Sequence, residues 1–454
     1  MSDKSAHQTR PRYVGGLAWP SFPQHANVQA MALQVELAMT ERWPFEKLQH
    51  YQLAQAQALI NHAQKTVPYY KDILAPLAGR PLGQLTMDEL RQIPLLDRKL
   101  IQDNRDALVS TSLPAGHGRM FDIRTSGSTG RPLEAKGSDI TSMMYAAQSI
   151  RGHIWHQRDL SLKNVTIRAN AKGDDLVVRG RGWSPSSSGE FIQIDKTIPA
   201  PEMLEILVKE NPHYIQCYPS TLQELLRISK AENIKLSRLR EVRTLSEILE
   251  PALVTQAKQQ WGIPVINNYS ALELNIIALQ CPDDPQNMHV MAESLILEIL
   301  DENGNPCKPG QAGRCVVTTL SNYASPLIRY EYGDYAVAGT TCRCGRSLPT
   351  LTRIMGRKHN LMVLPNGDKF CPILPQADAM YDLPIRQYQL VQTSLEEVEI
   401  RVSTDRKLSA EEEARLIQIY IDLKYPFNFV VRYMDEIPNL ASGKYDFFRS
   451  EVDV

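Results

Sequence analysis

Between residues 201 and 270, three helical windows ("PEMLEILVKE", "STLQELLRISKAE", "EPALVTQAKQQWG") alternate with three short apolar stretches ("YIQCY", "EVRTL", "PVINNY"). Such a chain has both helix stripes and strand faces to bury, and a layered α/β arrangement buries both at once. From about Val28 to His62 the apolar residues recur at helical spacing and the pattern breaks at Pro44, which cannot donate an intrahelical hydrogen bond. A mixed region with strand-like "NVTIRA" and "GEFIQI" follows to about residue 200, and strand-rich sequence dominates from about 290 to 356, where "ENGN" signals a hairpin turn. A last block, Lys358 to Val454, has its own small cycle of strands and one helix. The expected fold is α/β. A large N-terminal domain, residues 1–357, holds layered α/β subdomains plus a strand-rich portion, and a small C-terminal α/β lid spans residues 358–454.

At 454 residues the chain is long enough for two or three domains. Its 50 Lys and Arg nearly cancel 51 Asp and Glu, so the charge balance recruits neither nucleic acid nor an anionic membrane. The first residues have no apolar signal core, and no run approaches the roughly 18 apolar residues of a membrane span, so a cytoplasmic protein is expected. Seven cysteines, an odd and scattered set, fit reduced thiols better than a disulfide framework.

"RTSGSTGRPLE", Arg124 to Glu134, gathers four hydroxyls, two glycines and a proline ahead of a helical pattern. Taken alone it is either a polar surface turn or a phosphate cradle, because backbone N–H groups and small hydroxyls without side-chain bulk suit anionic oxygens. It is not a P-loop, since no Gly-Lys-Ser/Thr follows. Further along come "TLSEILEP" (244–251), "NNYSALEL" (267–274), "PLIRYEYGDYA" (326–336), "GRKHN" (356–360) and "IPNLASGKYDFF" (437–448). Motifs of these kinds in this order resemble the adenylate-forming superfamily of acyl- and aryl-CoA ligases, luciferases and peptide-synthetase adenylation domains. "LINHAQKTVPYYKDIL", "IPLLDRKLIQDNRDALVS", "YIQCYPSTLQELL" and "CRCGRSLPTLTRIMGR" resemble its phenylacetate–CoA ligase branch, over most of the chain from about residue 45.

The resemblance implies an AMP-forming ligase. A carboxylic acid, aromatic by resemblance, attacks the α-phosphorus of Mg·ATP, and the acyl-adenylate then passes its acyl group to coenzyme A. It implies that Thr125, Ser126, Gly127, Ser128, Thr129 and Gly130 close over the ATP phosphates, and that Glu273 holds Mg²⁺, a hard cation that prefers oxygen ligands. Asn268 and Tyr269 would flank the adenine with Ser246 and Glu247 on the neighbouring loop, Asp334 and Arg357 would meet the ribose, and Lys444 would be the catalytic lysine on a mobile loop. Tyr145, Trp183 and Tyr218 are candidates for the acid pocket.

Three departures from the family pattern stand out. Leu133 occupies a position where many members carry lysine, the hinge after Arg357 reads Lys358, His359 and Asn360 in place of an acidic residue, and "LPNGDKF" replaces the loop that follows. The last two leave an amine or a carrier protein open as the acyl acceptor in place of CoA. A non-catalytic nucleotide-binding relative is the reading from another class, against which the joint presence of Glu273, Asp334 and Lys444 counts. Cys281, His289, Cys342 and Cys344 offer three thiolates and an imidazole, either a structural Zn²⁺ site of the kind several relatives carry or free thiols with a surface histidine. A homodimer is also left open.

Overall fold

Pro44 stands between helices His25–Thr40 and Phe45–Thr66, the break its missing N–H predicts. The computed structural model describes residues 25–125, 132–169, 176–181, 189–357, 361–366, 369–370, 372, 383–438, 445 and 447–452.

The alternating stretch folds as expected and supplies one half of the main sheet. Strands Glu190–Asp195, Asn164–Arg168, Tyr214–Cys217, Glu241–Leu245 and Val265–Ala271 lie side by side in that order, all parallel. Helices Ala200–Glu210, Pro219–Ala231 and Pro251–Trp261 pack on one face, each starting at or next to a proline whose fixed φ suits a first turn. Val165, Ile192, Ile215, Val242 and Val265, facing these helices, are at most 3% exposed. Each such burial contributes about 1.5–3 kcal/mol.

The strand-rich portion is not a separate sheet. After Val265–Ala271 the order runs through Asn275–Gln280, Met288–Val290, Thr350–Arg357, Tyr330–Ala338, Ala312–Thr319 and Leu295–Leu300, all antiparallel and continuous with the parallel half in one 13-stranded sheet. "ENGN" does turn a hairpin, with Gly304 at φ +82°, but the connection from Leu300 to Ala312 is longer than a two-residue loop.

The C-terminal block forms a four-stranded sheet of Asn428–Tyr433, Glu397–Thr404, Ile385–Gln392 and Phe448–Ser450, covered by helix Ala410–Asp422. Ser409 and Glu412 close a capping box on that helix, and Leu390, Val398, Ile400, Leu416 and Tyr420 form its core. Among the described residues, no helix is long and apolar enough to cross a membrane.

Candidate active site

Where the two halves of the main sheet meet, a cleft of about 2150 Å³ opens. Its lining includes Thr125, Ser246, Glu247, Asn268, Tyr269, Glu273, Asp334 and Arg357, residues spread over more than 230 positions of sequence. Of the other expected site residues, Ser126, Gly127, Ser128, Thr129, Gly130 and Lys444 lie outside the described residues, as do Trp183 and the hinge positions Lys358, His359 and Asn360.

Asp334 and Arg357 face each other across strands Tyr330–Ala338 and Thr350–Arg357, and the register pairs them directly. Arg357 Nε lies 2.9 Å from Asp334 Oδ1, and the Tyr269 hydroxyl donates to Asp334 Oδ2 at 2.8 Å. The Tyr332 hydroxyl sits 2.8 Å from that of Tyr269, and Arg357 Nη1 donates to the Tyr332 carbonyl at 2.6 Å. Among the described residues each oxygen of Asp334 thus has one partner and, having two lone pairs, can also accept from a ligand hydroxyl. The carboxylate of Asp334, followed by burial, pushes the Arg357 guanidinium's pKa up or down respectively, with a net rise. Burial and the Asp334 charge raise the Tyr269 phenol far above its ordinary range, so it stays a donor.

Glu273 occupies the turn between strands Val265–Ala271 and Asn275–Gln280. It is 7% exposed, and the Tyr330 hydroxyl stands 3.5 Å from its Oε1. Burial raises its carboxyl above the ordinary range, while its own backbone N–H, Arg357 and Arg98 pull the other way. A carboxylate supplies the oxygen donor that a hard cation prefers, and Glu273 would hold Mg²⁺ here.

Thr125 closes the mouth of the expected phosphate loop. Its N–H donates to the Leu133 carbonyl at 2.9 Å, and the Leu133 N–H donates back to Thr125 Oγ1 at 3.1 Å. Arg98 Nη2 reaches Thr125 Oγ1 at 3.3 Å, which brings a cation to the same mouth. Sequence reasoning missed Arg98, which depends on a distant pairing of strand Leu96–Asp97 with Tyr330–Glu331. It missed Tyr332 as well, although the i, i+2 spacing with Asp334 on a strand was a usable signal.

Ser246 sits at φ +69°, a left-handed backbone that costs a non-glycine residue about 1–3 kcal/mol and is concentrated at functional turns. The neighbouring Glu247 has its carboxylate engaged inside the protein. It accepts from the Ser220 N–H at 2.9 Å and the Ser220 hydroxyl at 3.1 Å, faces Lys196 at 3.7 Å, and accepts from the Tyr445 N–H at 3.1 Å. Its role here joins two parts of the chain in addition to lining the cleft.

Cys281, His289, Cys342 and Cys344 converge, their ligand atoms all within 4.8 Å of one another. Cys342 Sγ is 3.8 Å from Cys281 Sγ, and Cys344 Sγ is 3.2 Å from His289 Nε2. Two thiolates on one tetrahedral zinc, each about 2.3 Å from it, stand about 3.8 Å apart, so the donor set fits Zn²⁺. His289 Nδ1 faces the Leu348 carbonyl at 3.4 Å, the outer contact that leaves Nε2 for a metal.

The family model for AMP-binding enzymes matches residues 120–322, a stretch that includes Thr125, Glu273, the parallel half of the main sheet and part of the antiparallel half. In sequence the chain is 23% identical to phenylacetate–coenzyme A ligase of Thermus thermophilus over 84% of its own length and 86% of the relative's. It is 21% identical to that of Pseudomonas putida over 83% and 89%. Among solved structures, 2-hydroxyisobutyryl-CoA ligase in the postadenylation state superposes with a TM-score of 0.72 at 15% identity, covering 90% of this chain and 91% of that one. The same ligase in the thioesterification state gives 0.57 over 90% and 91%. Anthranilate CoA ligase AuaEII with anthranoyl-AMP gives 0.54 at 13% identity over 86% and 89%. The fold and the matched stretch make the chain similar to AMP-binding enzymes. Over most of its length its sequence is similar to phenylacetate–CoA ligases.

Proposed function

We propose that this chain is an AMP-forming ligase that activates an aromatic carboxylic acid and transfers the acyl group to coenzyme A. The observation that carries the reading is the Asp334–Arg357–Tyr269 group sharing one cleft with Glu273 and the Thr125–Leu133 loop base, in a chain similar to phenylacetate–CoA ligases over most of its length. In the first step a carboxylate oxygen of the acid bonds to the α-phosphorus of ATP as the bond to pyrophosphate breaks. In the second the CoA thiolate bonds to the acyl carbon as AMP leaves, the thiol proton passing to solvent.

Asp334 accepts the ribose hydroxyls through its remaining lone pairs while Arg357 and Tyr269 hold it in place. Mg²⁺ would neutralise phosphate charge when bound at Glu273. Arg98 and the Thr125 loop bring donors to the same phosphates, and Lys444 stabilises the charge that builds during displacement, an effect worth roughly 10²–10³ in rate. Zn²⁺ would be structural, because four protein ligands leave it no open position. Residues 1–357 form the adenylation domain in this reading, and residues 358–454 the mobile C-terminal domain that carries Lys444.

A second acceptor, an amine or a carrier protein, is favoured by the sequence "KHN" and "LPNGDKF" after Arg357. With an accepted acid, Mg·ATP and CoA, the protein is expected to release acyl-CoA and AMP over many turnovers. Lys444→Ala should block acyl-adenylate formation with ATP still bound, whereas Asp334→Ala should weaken ATP binding itself. Adenylate formation without acylation of CoA, together with acylation of an added amine or carrier, would give the acceptor role to the latter.

A further inference from the structure

The parallel half of the main sheet is polar on the face opposite its three helices, where a sheet covered on both sides is ordinarily apolar. Gln193, Thr166, Gln216 and Arg243 stand in register on four adjacent strands. Their chain neighbours Ile192, Ile194, Val165, Ile167, Ile215, Cys217 and Val242 point the other way into the apolar core. The row is not an ordinary solvated face, since Gln193 and Thr166 are each 6% exposed. Thr166, Gln216 and Arg243 line the same cleft as Asp334 and Glu273, together with Tyr145 and His153 of helix Asp139–Trp155.

The charges around Arg243 do not cancel. Glu241, two residues back on the same strand face, is held by Arg158 at 2.5 Å, so two guanidinium groups share one carboxylate. Besides that pair, the titratable groups acting on Arg243 and His153 are Tyr145 and His156, with no second carboxylate among the described residues. Burial, then Arg243 and Arg158, hold the His153 imidazole neutral, and burial lowers the Arg243 pKa to about 10. Arg243 Nη2 makes one long contact, 3.4 Å to Gln216 Oε1. The buried Arg243 Nε and His153 Nδ1 have no hydrogen-bond partner among the described residues. A partly buried cation whose Nε has unmet hydrogen-bonding capacity, set in the cleft, is suited to an anionic ligand group.

We propose that this end of the cleft reads a second carboxylate, so that the acid activated here is an aromatic dicarboxylic acid, its distal carboxylate held by Arg243 and its ring against Tyr145 and Phe191. This deepens the ligase reading and rests on it. Only the proximal carboxylate attacks ATP. The distal one stays ionised, paired with the guanidinium, and forms no covalent bond.

The test is ATP–pyrophosphate exchange with matched pairs: benzoate against terephthalate, phenylacetate against 4-carboxyphenylacetate, and adipate as an aliphatic diacid. The wild type is expected to favour each aromatic diacid over its monoacid by roughly 10²-fold or more in kcat/KM, since a site built to bond a polar group rejects the analogue that lacks it. Arg243→Met should erase that preference, mainly by raising KM for the diacid, while keeping exchange with the monoacid. Arg243→Lys should restore part of it. Melting temperature and ATP affinity of the variants separate a lost contact from a lost fold. Exchange with monoacids but no gain for diacids in the wild type overturns this proposal and leaves the ligase reading intact. No exchange with any acid overturns the ligase reading, and this one with it.

Discussion

Glu250 opens helix Pro251–Trp261 at the cleft edge, without a side-chain capping bond. Burial raises its carboxyl pKa to about 7, against the pull of Arg353. The folded protein therefore keeps this proton up to about pH 7, while the unfolded chain releases it near a pKa of about 4.3. Between those values the unfolded state binds fewer protons, so this group's contribution makes stability fall as pH rises through the window. Glu250→Gln removes that contribution. The variant should match the wild type near pH 4 and exceed it at pH 8 by roughly 1–2 kcal/mol, a figure discounted for partial solvation. Urea midpoints that differ by the same amount at both pH values would disprove the titration. Other residues of the site were easier to foresee. Asp334, Tyr269 and Arg357 lie in compact strings whose order is informative, whereas Arg98 reaches Thr125 only through a strand pairing more than 230 residues away in sequence.

At the level of elements, the Cys/His cluster joins segments that local pattern could not pair. His289 lies on strand Met288–Val290, which pairs with Thr350–Arg357, and Cys342 and Cys344 lie in the loop before that strand. Arg346, two residues on, pairs with Glu41 at 3.2 Å and lies over the Trp155 ring at 4.5 Å, while Trp155 Nε1 donates to the same Glu41 carboxylate at 3.1 Å. The cluster is thereby tied to helix Asp139–Trp155, which lines the cleft. Cys342→Ser with Cys344→Ser is expected to remove about one equivalent of zinc per chain and to lower the melting temperature with it, since metal binding to a folded site is folding free energy. Metal analysis of the purified protein checks this, and a zinc-free wild type of unchanged stability would contradict it. Helices and strands were legible because their apolar periods, 3.6 and 2, are local properties. The joining of parallel and antiparallel halves into one sheet was not, because it rests on contacts such as His289 with Thr350 that no short window contains.

For the whole molecule, the decisive question is what holds the small sheet against the large one. The chain superposes with a TM-score of 0.72 on the postadenylation form of 2-hydroxyisobutyryl-CoA ligase and 0.57 on its thioesterification form. One polar contact across them involves Glu247, whose Oε1 accepts from the Tyr445 N–H at 3.1 Å. Tyr445 is packed into the small domain by its hydroxyl on the Tyr388 carbonyl at 2.6 Å and by its ring against Phe447. Its N–H on Glu247 thus ties the C-terminal segment to the large domain. A charged acceptor roughly doubles the strength of such a bond, and loss of it should shift the domain equilibrium by about 1.5–3 kcal/mol. Glu247→Ala is therefore expected to slow adenylation about tenfold or more while leaving transfer from pre-made acyl-adenylate unchanged or faster. Because Glu247 also caps the helix that starts at Pro219, Ser220→Ala serves as the control that loses the hydroxyl contact but keeps the latch. Single-turnover measurement of both half-reactions decides the matter: an equal fall in the two, or the same loss in Ser220→Ala, would mean that Glu247 supports the fold and does not hold the adenylation arrangement.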